Sequence, residues 1–106
     1  MTRQPVPSQS HTRLFRFNEE TREILAGDRS VKLTKKEFDI LKKLVSDPGR
    51  VFDRDTLLEQ VWGPDVHVAG RTIDAHIVKL RRKIRRLGEH FPPIETVWAL
   101  GYRFKE

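Results

Sequence analysis

Along the chain the spacing of apolar residues changes from strand-like to helical and back again. Residues 1–12 are polar, contain Pro5 and Pro7, and have no period; they read as a linker or disordered tail ahead of one domain over residues 13–106. Three short β-prone runs follow: Leu14-Phe15-Arg16-Phe17, Glu23-Ile24-Leu25 and Ser30-Val31-Lys32-Leu33. Gly27-Asp28 sits between the last two and suits a tight hairpin turn, so these runs predict a small antiparallel sheet. Thr34 and Glu37 then have the spacing of a capping box, a hydroxyl followed three residues later by a carboxylate. Phe38, Leu41, Leu44 and Val45 continue at helical spacing until Asp47-Pro48-Gly49 stops the run. Asp53 is placed to cap a second helix holding Leu57, Leu58, Val61 and Trp62, closed by Gly63-Pro64. The stretch from Gly63 to Arg71 is too long for a tight turn. A third helix is expected from Arg71 to about Leu87, with Gly88 as its C-terminal stop. After Pro92-Pro93, the β-prone stretches Ile94–Ala99 and Tyr102–Lys105 flank Leu100-Gly101 as a hairpin. The order sheet, three helices, hairpin defines an α+β domain with no internal repeat.

The third helix has the sharpest pattern. At about 100° per residue, Ile73, Ile77, Leu80, Ile84 and Leu87 fall within a stripe about 80° wide that must face a core. Asp74, Ala75, Val78, Arg82, Arg85 and Arg86 lie on the opposite side with Arg71, flanked by Lys79 and Arg81.

Charge sharpens this picture. The chain holds 21 Lys plus Arg and 15 Asp plus Glu, a net +6, and the segment 71–86 accounts for all of that excess. Ordinary solvated helix faces mix acids with bases for i,i+4 pairing, whereas this segment has only Asp74, which is expected to pair with Arg71 or a neighbour. A focused cationic stripe attracts polyanions. On charge alone, nucleic acid, an anionic membrane and an acidic protein all remain open. The need to bury Ile73, Ile77, Leu80 and Ile84 in so small a core weighs against a membrane-surface or partner-binding helix. An α-helix fits the major groove of B-DNA, and small apolar residues such as Ala75 and Val78 can touch thymine methyls there. With the helix before it, this makes a helix–connector–helix unit in which the second helix enters the groove, and the following hairpin reads as a wing.

Other chemistries find no support. The chain has no cysteine, which excludes disulfides, thiolate metal sites and cysteine nucleophiles. It has no apolar run long enough to span a membrane, and its first residues lack a signal peptide's apolar core. It carries no phosphate-binding glycine loop, nucleophile elbow or zincin motif, so an enzyme is not expected. His11, His67, His76 and His90 lack close ligand spacing, and no metal or other cofactor is expected.

Five segments in order resemble the winged-helix effector domain of OmpR/PhoB-type response regulators. They are Leu33-Thr34-Lys35-Lys36-Glu37-Phe38-Asp39-Ile40-Leu41, Arg50-Val51-Phe52-Asp53-Arg54, Leu57 through Gly63, Arg71 through Ile84, and Ile94-Glu95-Thr96-Val97 with Gly101-Tyr102-Arg103-Phe104. The resemblance spans about Leu14 to Lys105. It implies a sequence-specific bacterial transcription regulator, cytoplasmic and nucleoid-associated, that binds double-stranded DNA at direct-repeat half-sites by tandem self-association, without a membrane. In such proteins the third helix enters the major groove, the wing reaches the adjacent minor groove, and the connector touches RNA polymerase. Full-length members carry a receiver domain answering a sensor kinase. A receiver does not fit in 106 residues, so an isolated effector domain is expected. The alternative is the same winged helix from a regulator without a receiver, membrane-fused or acting in an antibiotic pathway.

By position on the third helix, Val78, Lys79 and Arg82 are candidates for base edges, and Arg71, Thr72, His76 and Arg86 for phosphates. His76 is either a partly buried packing residue or a neutral imidazole donating to phosphate. Trp62 fills core space, with its indole N–H able to reach a phosphate. The wing departs from the family pattern: Trp98-Ala99 stands where many members carry Arg-Gly, and that Arg enters the minor groove. Trp98 cannot supply the charge, which leaves weak minor-groove reading or apolar contact with sugar or a neighbouring protomer. Arg103 and Thr96 lie on the hairpin strands, and Arg103 is a substitute source of charge. In the connector, Pro64, Asp65, Val66 and His67 are candidates for the polymerase contact, or for a plain surface loop.

Overall fold

The computed structural model describes residues 15–65, 68–88 and 94–105. The tail expected over residues 1–12 lies outside the described residues, as do Leu14, Val66, His67 and Pro92-Pro93. Three strands open the fold: β1 (Arg16–Asn18), β2 (Glu23–Ala26) and β3 (Arg29–Lys32), antiparallel in the order β1-β2-β3. Ala26 pairs with Arg29 across the two-residue turn Gly27-Asp28. Gly27 there has φ +61°, a value that a side chain disfavours. The sheet turns Phe17, Ile24 and Val31 to one face, where they are buried, and leaves Arg16, Ser30 and Lys32 exposed, the alternation of a half-buried sheet.

Helix α1 (Lys35–Val45) begins at the capping box its sequence indicates: Thr34 Oγ1 accepts from the Glu37 N–H (3.2 Å) and Glu37 Oε1 from the Thr34 N–H (2.9 Å). Helix α2 (Arg54–Trp62) begins at Asp53, whose Oδ1 accepts from the Thr56 N–H at 2.7 Å. That bond from Thr56 holds the Asp53 carboxyl below the usual range. Helix α3 spans Arg71–Ile84 and tightens into a 3₁₀ turn at Arg85–Leu87, so the regular helix ends one turn earlier than its pattern suggests. Gly88 is not a left-handed stop. Its φ of 162° is extended backbone open to any residue, and the 3₁₀ turn ends the helix instead.

Strands β4 (Ile94–Val97) and β5 (Gly101–Phe104) form the C-terminal hairpin. An antiparallel bridge between Phe52 and Tyr102 ties β5 to the segment before α2. The core draws on every element. Phe15 and Phe17 meet edge-to-face, as do Phe15 and Phe104, and Phe17 and Phe38. Leu41 and Leu44 from α1, Leu57 from α2, and Ile73, Ile77, Leu80 and Ile84 from α3 close it. Among the described residues, no helix is long and apolar enough to cross a membrane.

Candidate nucleic-acid interface

The apolar stripe of α3 is inside as its period requires: Ile73, Leu80 and Ile84 are 0% exposed and Ile77 1%. Anchoring one face presents the other. Arg71, Ala75, Val78, Lys79, Arg82, Arg85 and Arg86 are all exposed, Val78 by 54%. Among the described residues, none of the five cations on this face has an ion-pair partner. Arg85 belongs to the face as fully as Arg82 and Arg86, as its place in the helical period indicates.

The other two basic residues of the segment are structural. Arg81 turns toward the hairpin, where its Nε and Nη2 donate to the Ile94 carbonyl (3.2 and 3.1 Å) and Nη2 to Thr96 Oγ1 (2.8 Å). Its guanidinium also lies 5.6 Å from the Tyr102 ring centroid. Lys83 reaches across to α1 and donates to Glu37 Oε1 at 2.7 Å. Glu37 is 1% exposed. Burial alone would raise its carboxyl, but the bond from Lys83 and the Thr34 backbone N–H outweigh it and hold the group below its ordinary value.

Asp74 does not pair with Arg71. Its Oδ2 accepts from Arg54 Nη1 on α2 (2.6 Å), and its Oδ1 from the Tyr102 hydroxyl on β5 (2.6 Å). Tertiary packing brings a cation and a hydroxyl to the carboxylate, and this outcompetes the local i,i+3 partner. Burial first, then the Asp74 bond and charge, push the Tyr102 hydroxyl up to about 12. One carboxylate thus joins the helix before the connector, the first turn of α3 and the hairpin. Nothing local in the sequence marks Arg54 and Tyr102 as its partners. The available signal was Asp74 itself, a lone acid in a cationic run.

His76 is half-buried, its ring edge-on to Trp62 with centroids 5.1 Å apart. Its Nδ1 lies 2.8 Å from the Thr72 carbonyl oxygen. A carbonyl only accepts, so Nδ1 carries the proton. The neutral imidazole therefore has no second N–H for a phosphate, and only the imidazolium can donate from Nε2. Trp62 is half-buried against the core, with the Lys36 ammonium 5.0 Å from its ring centroid.

On the hairpin, Thr96 is exposed and receives Arg81, while Arg103 Nε donates to Glu95 Oε1 at 2.6 Å. The Arg103 charge is therefore matched within the hairpin, and the bond holds the Glu95 carboxyl below its ordinary range. Trp98 stands 90% exposed at the tip. In the connector Pro64 and Asp65 are exposed; Val66 and His67 lie outside the described residues.

A buried aliphatic stripe, an outward cationic face, and a hairpin bolted to the same helix define a winged-helix DNA-binding domain. The chain belongs to the family of C-terminal domains of transcriptional regulatory proteins, the OmpR/PhoB type, whose pattern matches residues 28–104. This is a DNA-binding regulator domain, not an enzyme. The transcriptional regulatory protein YclJ of Bacillus subtilis, itself uncharacterized, is 47% identical over 96 residues, covering 90% of this chain and 41% of that protein. SrrA, a transcriptional regulatory protein of Staphylococcus aureus, is 41% identical over 83 residues, or 77% of this chain and 34% of SrrA. The chain thus spans less than half the length of either relative. The DNA-binding domain of Klebsiella pneumoniae RstA, solved in complex with the RstA box, has the same fold: TM-score 0.77 and 28% identity over 92% of this chain and 97% of that one.

Proposed function

We propose that this domain is the sequence-specific effector of a two-component response regulator, placing α3 in the major groove of double-stranded DNA and the β4–β5 hairpin near the adjacent minor groove. The observation that supports this best is the division of α3 and the 3₁₀ turn that ends it into five buried aliphatics and an outward face of five cations around Ala75 and Val78. Val78, Lys79 and Arg82 read base edges. Arg71, Thr72 and Arg86 hold phosphates on either side, His76 does so when protonated, and the Trp62 indole N–H joins them. Thr96, Trp98 and Arg103 form the hairpin's part of the interface. Two copies occupy direct-repeat half-sites, and the connector at Pro64 to His67 meets RNA polymerase. A receiver domain controlled by a sensor kinase governs the full-length protein, which acts in the bacterial cytoplasm.

Fluorescence anisotropy over a salt series, with direct-repeat duplexes selected from a random pool and with unselected duplexes, tests this reading. Selected DNA is expected to bind tighter, with a log–log salt slope reporting several phosphate contacts. Lys79→Ala is expected to cost about 1–3 kcal/mol on selected DNA and far less on random DNA. Equal, weak binding to every duplex would reduce the face to a basic surface.

A further inference from the structure

The described aromatics other than Trp98 pack in or against the core, while Trp98 is 90% exposed and its neighbour across the turn, Leu100, 61%. Ala99 between them has φ +64°, a left-handed conformation uncommon for a residue with a Cβ. Two large apolar side chains are thus held in water at the end of a two-stranded hairpin whose base is fixed. Arg81 clamps β4 to α3, and Asp74 clamps β5 to the first turn of α3. The tip borders a cleft of about 600 Å³ shared with the starts of α2 and α3, and Asp53, Asp55 and Asp74 line it too. These carboxylates disfavour a phosphate in the cleft, and among the described residues the only cation lining it, Arg54, is paired with Asp74.

We propose that Trp98, with Leu100, is an apolar minor-groove wedge that selects a deformable base step beside the sequence read by α3. The inference rests on the major-groove reading of α3 given above. A hairpin rigidly joined to that helix moves with it onto the duplex. The minor groove is about 6 Å wide, so it admits tip side chains rather than a whole ribbon. An indole and an isobutyl group find their partners on sugar faces and partly unstacked bases, and pyrimidine–purine steps such as TA open most readily. A cation would instead favour a narrow, strongly negative A-tract. A second copy of the chain fits the tip poorly, because two side chains fall far short of the roughly 800 Å² per partner of a stable protein interface.

The test uses duplexes selected by the wild-type chain. Because Trp98 is exposed, Trp98→Ala is expected to keep the wild-type melting temperature. It is expected to bind selected DNA about tenfold more weakly, the scale of one lost aromatic–base contact, with an unchanged salt slope. Replacing a TA step under the tip by AA is expected to weaken the wild type and leave Trp98→Ala unaffected. Trp98→Arg is expected to steepen the salt slope by about one contact and shift preference toward A-tracts. The wedge is overturned if Trp98→Ala matches the wild type on selected DNA or loses affinity equally on random DNA. It is also overturned if Trp98→Ala changes only the protein's own association in sedimentation. Failure of the wild type to discriminate any duplex would defeat the underlying reading, whereas discrimination that survives Trp98→Ala intact defeats the wedge alone.

Discussion

At position 101 a Cβ would stand 2.1 Å from the Phe52 carbonyl oxygen, and the backbone there has φ +146°. The approach is this close because Phe52 and Tyr102 exchange both backbone bonds of their bridge, at 2.8 and 3.0 Å. Gly101→Ala must push the hairpin away from the segment before α2. It is expected to destabilise the domain by about 3 kcal/mol in urea titration, through strain and loss of the bridge. Tyr102 leads to a pH prediction. Its hydroxyl is raised from the ordinary 10.0 to about 12, so the folded state holds the proton more tightly than the unfolded chain. Its contribution is therefore complete below about pH 10 and is lost as pH rises toward 12. Tyr102→Phe is expected to be less stable at neutral pH, with the difference from wild type shrinking across that alkaline window. A difference that stays constant through it would separate the Asp74 bond from the stability of the hairpin.

Among the elements, α1 and α3 are joined by the pair Glu37–Lys83 as well as by aliphatic packing. The Glu37 carboxyl lies below its ordinary 4.5, so its contribution is present above that value and is lost as pH falls through the lower folded one. Lys83→Met leaves a buried carboxylate with only the Thr34 cap, and is expected to cost about 3 kcal/mol at neutral pH. The gap is expected to narrow in acid, where Glu37 takes up a proton. Melts of the variant and wild type at pH 7 and pH 3 measure both. The capping box, the Asp53 cap, the Gly27-Asp28 turn and the buried stripe of α3 were legible in the sequence because each follows from residues within one turn or one hairpin. The partners of Lys83, Arg81 and Asp74 were not, because each lies on a different element and only packing brings them together. The 3₁₀ ending of α3 is hidden in the sequence for a related reason: Leu87 keeps the apolar period while the backbone beneath it tightens.

Over the whole molecule, charge is sorted by face. Two of the seven basic residues in 71–86 serve as structural ties, and five remain outward on α3 and the 3₁₀ turn after it. The outward face was legible because burial of the aliphatic stripe dictates it. The fixed relation between α3 and the hairpin was not, since it depends on Arg54, Asp74, Arg81 and Tyr102 meeting in space. The central claim is that α3 and the hairpin tip meet DNA together. Mapping amide chemical-shift changes by NMR, as a selected duplex is added to the labelled protein, tests it most directly. The account predicts that the largest changes fall on residues 71–86 and 97–101, with β1–β3 nearly still. Changes centred on β1–β3, with α3 unmoved, would contradict it.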